Sequence, residues 1–182
     1  RVFRAWRRRR RAFRAYAPPL VPAPDHVHAF GQLALSRTAF ALSPDGKYLV
    51  YSAGGEKNSN LYIRALNESS SSLLEGTEDA WLPFFSPDGK WIGFWADGEL
   101  RRVRTEGGPA ETICAAEYLP SGASWGLDGS IVFDLQVGEI LRVDAEGGKP
   151  EVITTLGEGE AVHMHPSLLP DGETLLFGTR SE

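Results

Sequence analysis

The chain holds a single cysteine, Cys114, so no disulfide can form within it. That excludes the class of small folds stapled by disulfides and leaves the redox compartment open. No stretch approaches the ~20 consecutive apolar residues of a membrane-spanning helix, and no signal-peptide core is visible. Positive charge is confined: residues 1–16 carry eight of the 19 Lys and Arg and none of the 24 Asp and Glu. The remaining sequence is therefore strongly acidic. It lacks the basic surface that nucleic-acid binding draws on, which argues against general nucleic-acid binding and leaves the Arg run of residues 1–16 as a third, lesser reading. Cys114, within Thr112-Ile113-Cys114, reads as a small buried hydrophobe.

What the chain has in abundance is Gly (20) and Pro (12), and they are placed periodically. Ser43-Pro44-Asp45-Gly46 returns as Ser86-Pro87-Asp88-Gly89, Gly126-Leu127-Asp128-Gly129 and Leu169-Pro170-Asp171-Gly172. The aspartates recur at intervals of 43, 40 and 43 residues, a period that marks a repeat architecture. Pro pre-sets the first central position of a type I turn, and Asp follows it readily. Gly then supplies the positive φ of a short bulged hairpin loop. Asp45, Gly46, Asp88, Gly89, Asp128, Gly129, Asp171 and Gly172 are accordingly structural turn residues rather than a ring of functional carboxylates.

Runs of aromatic and β-branched residues flank each turn, such as Trp81-Leu82-Pro83-Phe84-Phe85 before it and Lys90-Trp91-Ile92-Gly93-Phe94 after it. Further strand-like runs follow (Leu61-Tyr62-Ile63-Arg64, Leu100-Arg101-Arg102-Val103, Ile140-Leu141-Arg142-Val143), then Glu111-Thr112-Ile113 or Glu151-Val152-Ile153. Four strands per repeat is the content of one propeller blade. The predicted fold is all-β: a partial β-propeller of four-stranded antiparallel blades, with three full repeats and the start of a fourth. The blades fall at about 37–74, 81–115, 122–156 and 161–182, within a propeller region 36–182. Because the chain starts at Arg1 and its last repeat stops after one hairpin, it is expected to be a fragment of a larger propeller, cut at both ends. Such a cut leaves unpaired sheet edges and an uncovered blade face, so the isolated chain is expected to be marginal or self-associating.

Residues 1–16 (RVFRAWRRRRRAFRAY) form a basic arm. It reads either as an amphipathic helix, suggesting proximity to a membrane surface, or as a disordered cationic segment. Residues 17–35 form a Pro-rich linker.

Gly122-Ala123-Ser124-Trp125-Gly126 matches a nucleophile elbow by letter, but an elbow needs a strand, a strained turn and then a helix. A second hairpin strand follows here, so no catalytic residue is assigned. His163 and His165 stand two apart on a predicted strand and would share one face. With Glu158 or Glu160 nearby they remain short of the three or four ligands of a zinc site, so no metal and no cofactor is assigned. His163 is the candidate binding residue, on an inner strand expected to line the central channel.

The repeats, written F-F-S-P-D-G-K-W-I-G-F and L-Y-I-R-A-L, resemble the TolB-type, WD-repeat-like β-propeller family over residues 38–182. Within it, Ala80 to Gly89, Gly122 to Gly126, and His163 preceding Pro166 and Leu169-Pro170-Asp171-Gly172 are most similar to propellers of bacterial membrane-anchored serine/threonine protein kinases. That resemblance implies a periplasmic or extracytoplasmic sensor-like domain, tethered to the inner membrane in its parent protein. It would bind a protein, peptide or small ligand at the channel or blade-end loops and would catalyse nothing. The same blades also resemble the gating propeller of prolyl-oligopeptidase-like peptidases and the periplasmic TolB scaffold. The chain itself has no kinase signature, and Gly126-Leu127 and Leu169 depart from the Ser-Pro pattern of the turn.

Overall fold

The computed structural model describes residues 3–7, 40–54 and 59–181. Strands β2 (Phe40–Leu42), β3 (Tyr48–Ala53), β4 (Asn60–Ala65) and β5 (Ser72–Leu73) form the first antiparallel sheet in sequence order. Next come β6 (Trp81–Phe85), β7 (Trp91–Ala96), β8 (Glu99–Arg104) and β9 (Glu111–Ala115). A third sheet holds β10 (Ala123–Trp125), β11 (Ser130–Phe133), β12 (Leu141–Asp144) and β13 (Glu151–Val152). The fourth contains the hairpin β14 (Glu160–Leu168) and β15 (Thr174–Ser181), with β1 (Phe3–Arg7) on the far edge of β15. The first strands β2, β6, β10 and β14 pack against one another, as inner strands of successive blades do. The all-β partial propeller expected from the repeat is the architecture observed.

The arm departs from expectation. Phe3–Arg7 is neither helical nor a free tail; it pairs antiparallel with β15, Phe3 opposite Gly178 and Arg7 opposite Thr174. The open edge of β15 presents unpaired backbone groups, and a five-residue segment gains more by pairing there than by nucleating a helix alone. The rest of the arm and the Pro-rich linker lie outside the described residues.

The blades stack through one repeated device. The strand after each turn carries an aliphatic and an aromatic residue two apart, both facing the preceding blade: Ile92 and Phe94, Ile131 and Phe133, Leu175 and Phe177. They close on Val50 and Leu61, on Phe84 and Leu100, and on Val132 and Ile140 respectively. Cys114 lies in the middle interface, where burial and, secondarily, Glu99 push its thiol up to about 11. It is an inert packing group.

The turns explain how the motif tolerates its own variation. In the first two copies the Ser hydroxyl donates to the Asp carboxylate (Ser43 and Ser86, both 2.6 Å) and accepts the amide of Tyr48 or Trp91. Where Gly126 replaces that Ser, Ser130 donates to Asp128 from the other side at 2.7 Å. Where Leu169 replaces it, Thr174 donates to Asp171 at 2.6 Å. Each carboxylate thus accepts within its own turn, Asp128 also from Arg142 at 2.6 Å, and Gly46, Gly89, Gly129 and Gly172 all have φ between 66° and 81°.

The Ser43 hydroxyl, followed by the Lys47 amide, holds the Asp45 carboxyl down to about 2, and Ser86 lowers Asp88 in the same way. A folded-state pKa below the unfolded value adds stability above about pH 4 that is lost as pH falls toward 2. Asp45→Asn with Asp88→Asn should therefore flatten the fall of melting temperature between about pH 4 and 2 relative to the unaltered chain. Parallel melting curves for the two proteins would contradict this role.

Candidate functional site

A cleft of about 280 Å³ opens where the inner strands converge. Phe40, Leu82, Pro83, Phe84 and Pro166 give it an apolar wall, and Ser121 and His165 supply its polar side chains. Leu82, Gly122 and His165 occupy the same repeat position, six residues before the turn aspartate. Leu82 and His165 both have positive φ (54° and 53°) at strand irregularities, each directly before a proline. Bulges of this kind re-aim a side chain out of the regular alternation.

That bulge overturns the expected pairing of the histidines. His163 is 2% exposed and does not line the cleft. Its Nε2 lies 3.2 Å from the Glu160 carboxylate, which only accepts, so the proton sits there and Nδ1 accepts from the Thr154 hydroxyl at 2.8 Å. Its ring packs on Phe177 at 4.5 Å. His163 ties the end of the third blade to the fourth, and the backbone turn at His165 places only the second histidine in the cleft. Among the described residues no cluster of metal-ligating side chains occurs.

His165 is held by a hub that the sequence reading missed. Asp134 is fully buried, and its carboxylate accepts from Ser121 N (3.0 Å), Ser121 Oγ (2.8 and 2.9 Å), Gln136 N (2.9 Å) and His165 N (3.1 Å). It thereby joins the third blade to the fourth at the cleft. The signal was an acid directly after Ile131-Val132-Phe133, where the second blade carries Trp95. His165 Nδ1 lies 3.0 Å from the Ser121 carbonyl. A carbonyl only accepts, so Nδ1 donates to it.

The elbow-like sequence is packing. Ser124 Oγ accepts the Leu168 amide at 3.0 Å, bridging blades. A Cβ on Gly122 would come within 2.8 Å of His165 Cα, so only glycine admits the fourth blade at this distance. Trp125 meets Phe84 at 6.1 Å and Trp95 donates to the Ala116 carbonyl at 2.7 Å. Trp91 instead lies beneath Arg102 and Arg104, at 4.3 and 4.4 Å. Arg102 makes a bidentate pair with Glu146 (2.6 and 3.0 Å) and reaches Glu111 at 2.8 Å, a second polar tie between neighbouring blades.

The blade order, the packed inner strands and the repeated turns define a partial β-propeller of four-stranded antiparallel sheets. No family model matches the chain. It is 30% identical over 157 residues to the uncharacterized protein Atu1656 of Agrobacterium fabrum, covering 74% of this chain and 52% of that relative. The chain thus spans about half the length of the curated relative it matches. Among solved structures it is similar to a TolB-assigned protein of Agrobacterium tumefaciens, with TM-score 0.62 and 25% identity, covering 78% of this chain and 57% of that one. TolB of Acinetobacter baumannii superposes with TM-score 0.59 at 22% identity, covering 80% and 38%, a likeness of fold alone.

Removing the hub leaves three backbone donors, Ser121, Gln136 and His165 N–H, without their acceptor. Asp134→Ala should lower the unfolding free energy by roughly 3 kcal/mol, and Ser124→Ala by about 1 kcal/mol, in urea titration. A loss below about 1 kcal/mol for Asp134→Ala would show that the hub does not hold the blades together.

Proposed function

We propose that this chain is a non-catalytic binding module that takes an extended apolar segment of a protein or peptide in the inner-strand cleft. The cleft itself carries the proposal: an apolar floor of Leu82, Pro83, Phe84 and Pro166 beside the polar side chains of Ser121 and His165. Pockets of mostly apolar lining with a few placed polar groups are what ligand sites require. The volume suits a short stretch of side chains rather than a large cofactor. In this reading the parent protein is an extracytoplasmic signalling protein of serine/threonine kinase type, a setting that rests on the sequence resemblance. Similarity to two TolB structures favours a second reading, a periplasmic scaffold, and both readings use the same cleft. A kinase domain and a hydrophobic span encoded upstream would support the first, and a hydrolase domain encoded downstream would replace both with a peptidase gate.

The test is an NMR titration of the 182-residue chain with short synthetic peptides rich in Pro, Leu and Phe. Saturable shifts are expected at Ser121, Gly122 and Ala123, with His165→Ala binding about 10-fold more weakly, the equivalent of one hydrogen bond. Shifts confined to the hairpin turns, or equal affinity in His165→Ala, would overturn the assignment.

A further inference from the structure

The two ends of the blades differ in charge. Segments 74–80, 116–122, 134–140 and 154–160, with the turn at 97–98, lie at the end where β6, β10 and β14 begin. Ser121 and Gly122 carry this end into the wall of the cleft. None of these segments holds a Lys or Arg, and Glu75, Glu78, Asp97, Glu117 and Glu158 stand exposed on them. The cations Arg101 and Arg180 stand on strands β8 and β15 instead. Among the described residues, every lysine (Lys47, Lys90 and Lys149) sits on a turn at the opposite end. The acidic end also bears apolar surface: Tyr118 is 57% exposed and Val137 55%. Gln136 Nε2 donates to the Leu119 carbonyl at 2.7 Å and ties together the two loops that hold them.

The strands beside the cleft are poor templates for an added strand. Both β6 and β14 lie at sheet edges, and Pro83 and Pro166 stand on them in the cleft wall without an amide donor. Proline on an edge strand blocks pairing there. Recognition in the cleft therefore falls to side chains.

We infer that the occupant of the cleft is a partner segment with an apolar core flanked by lysine or arginine. The core lies against Leu82, Pro83 and Pro166, and the flanking cations meet the acidic loops. This rests on the binding role proposed for the cleft and adds the charge of its occupant. Each exposed ion pair contributes little, but several of one sign steer the encounter and repel an acidic segment of equal apolarity.

Three peptides sharing one Pro-Leu-Phe core, with flanks of Lys, Ser or Glu, test this by NMR titration of the 182-residue chain. The Lys-flanked peptide should bind about 10-fold more tightly than the Ser-flanked one, and the Glu-flanked peptide more weakly than either. The advantage of Lys should shrink as salt rises from about 0.05 to 0.5 M. Glu78→Lys with Glu117→Lys, both at exposed loop positions, should abolish the preference. Glu106→Lys with Glu173→Lys makes the same change of charge on exposed turns at the opposite end and should leave it standing. Equal affinity for the three peptides, with shifts at Ser121, Gly122 and Ala123, would overturn the inference while keeping the cleft as a binding site. A far-end pair that erases the preference as fully as the cleft-end pair would also overturn it, since net charge alone would then be at work. Shifts absent from the cleft with all three peptides would overturn the binding role itself, and this inference with it.

Discussion

An aliphatic and an aromatic side chain two residues apart must be covered by the blade before them, and the rest of the molecule follows from that requirement. One repeat of a propeller cannot bury its hydrophobic face alone, and stacking on neighbours buries a continuous core. Ile92 with Phe94, Ile131 with Phe133 and Leu175 with Phe177 make each sheet dependent on its predecessor, and all six are at most 5% exposed. At roughly 25 cal/mol per Å² of apolar surface removed from water, such a pair dominates any single polar contact between blades. Stability in this arrangement is a chain of nearest-neighbour terms, as in other repeat proteins.

Polar ties then fix the angle at which apolar faces meet. Asp134 gathers donors from two blades, His163 links Thr154 to Glu160, and Arg102 reaches from its own sheet to Glu146. Asp134, His163 and Arg102 are tolerated at these interfaces because each is hydrogen-bonded, and removing one partner leaves the others stranded. Two of these ties border the inner strands, so the geometry of the cleft is set by the same contacts that hold the third and fourth blades together. Gly122 is where the constraint is tightest, since any side chain there meets the backbone of His165.

Most of the architecture was legible in the sequence because its signal is repeated. A turn with Asp and Gly recurring every forty residues or so, flanked by strand-forming runs, identifies blade and order together. The hydroxyl that replaces a missing Ser was legible only afterwards, since Ser130 and Thr174 sit at different offsets from the turn. The site was read less well. His163 is the candidate on the sequence because inner strands line the central channel, and alternation puts His165 on the same face; the backbone at His165 breaks that alternation with a φ of 53° that no sequence pattern announces. Asp134 looked like one acid among many, because nothing local reveals that its partners come from another blade. The arm was ambiguous for a different reason: Phe3–Arg7 pairs with an edge 170 residues away, and a local hydrophobic pattern does not encode distant edges.

The central claim is that blade-to-blade burial holds the chain together, and a double-mutant cycle across the first interface tests it most directly. Val50 of the first blade and Phe94 of the second are both fully buried in one shared core. Val50→Ala, Phe94→Ala and the double variant, each unfolded in urea, should give a coupling energy between about 0.5 and 3 kcal/mol. Single losses that simply add, within about 0.3 kcal/mol, would mean that the blades stand independently and that their faces do not carry the fold.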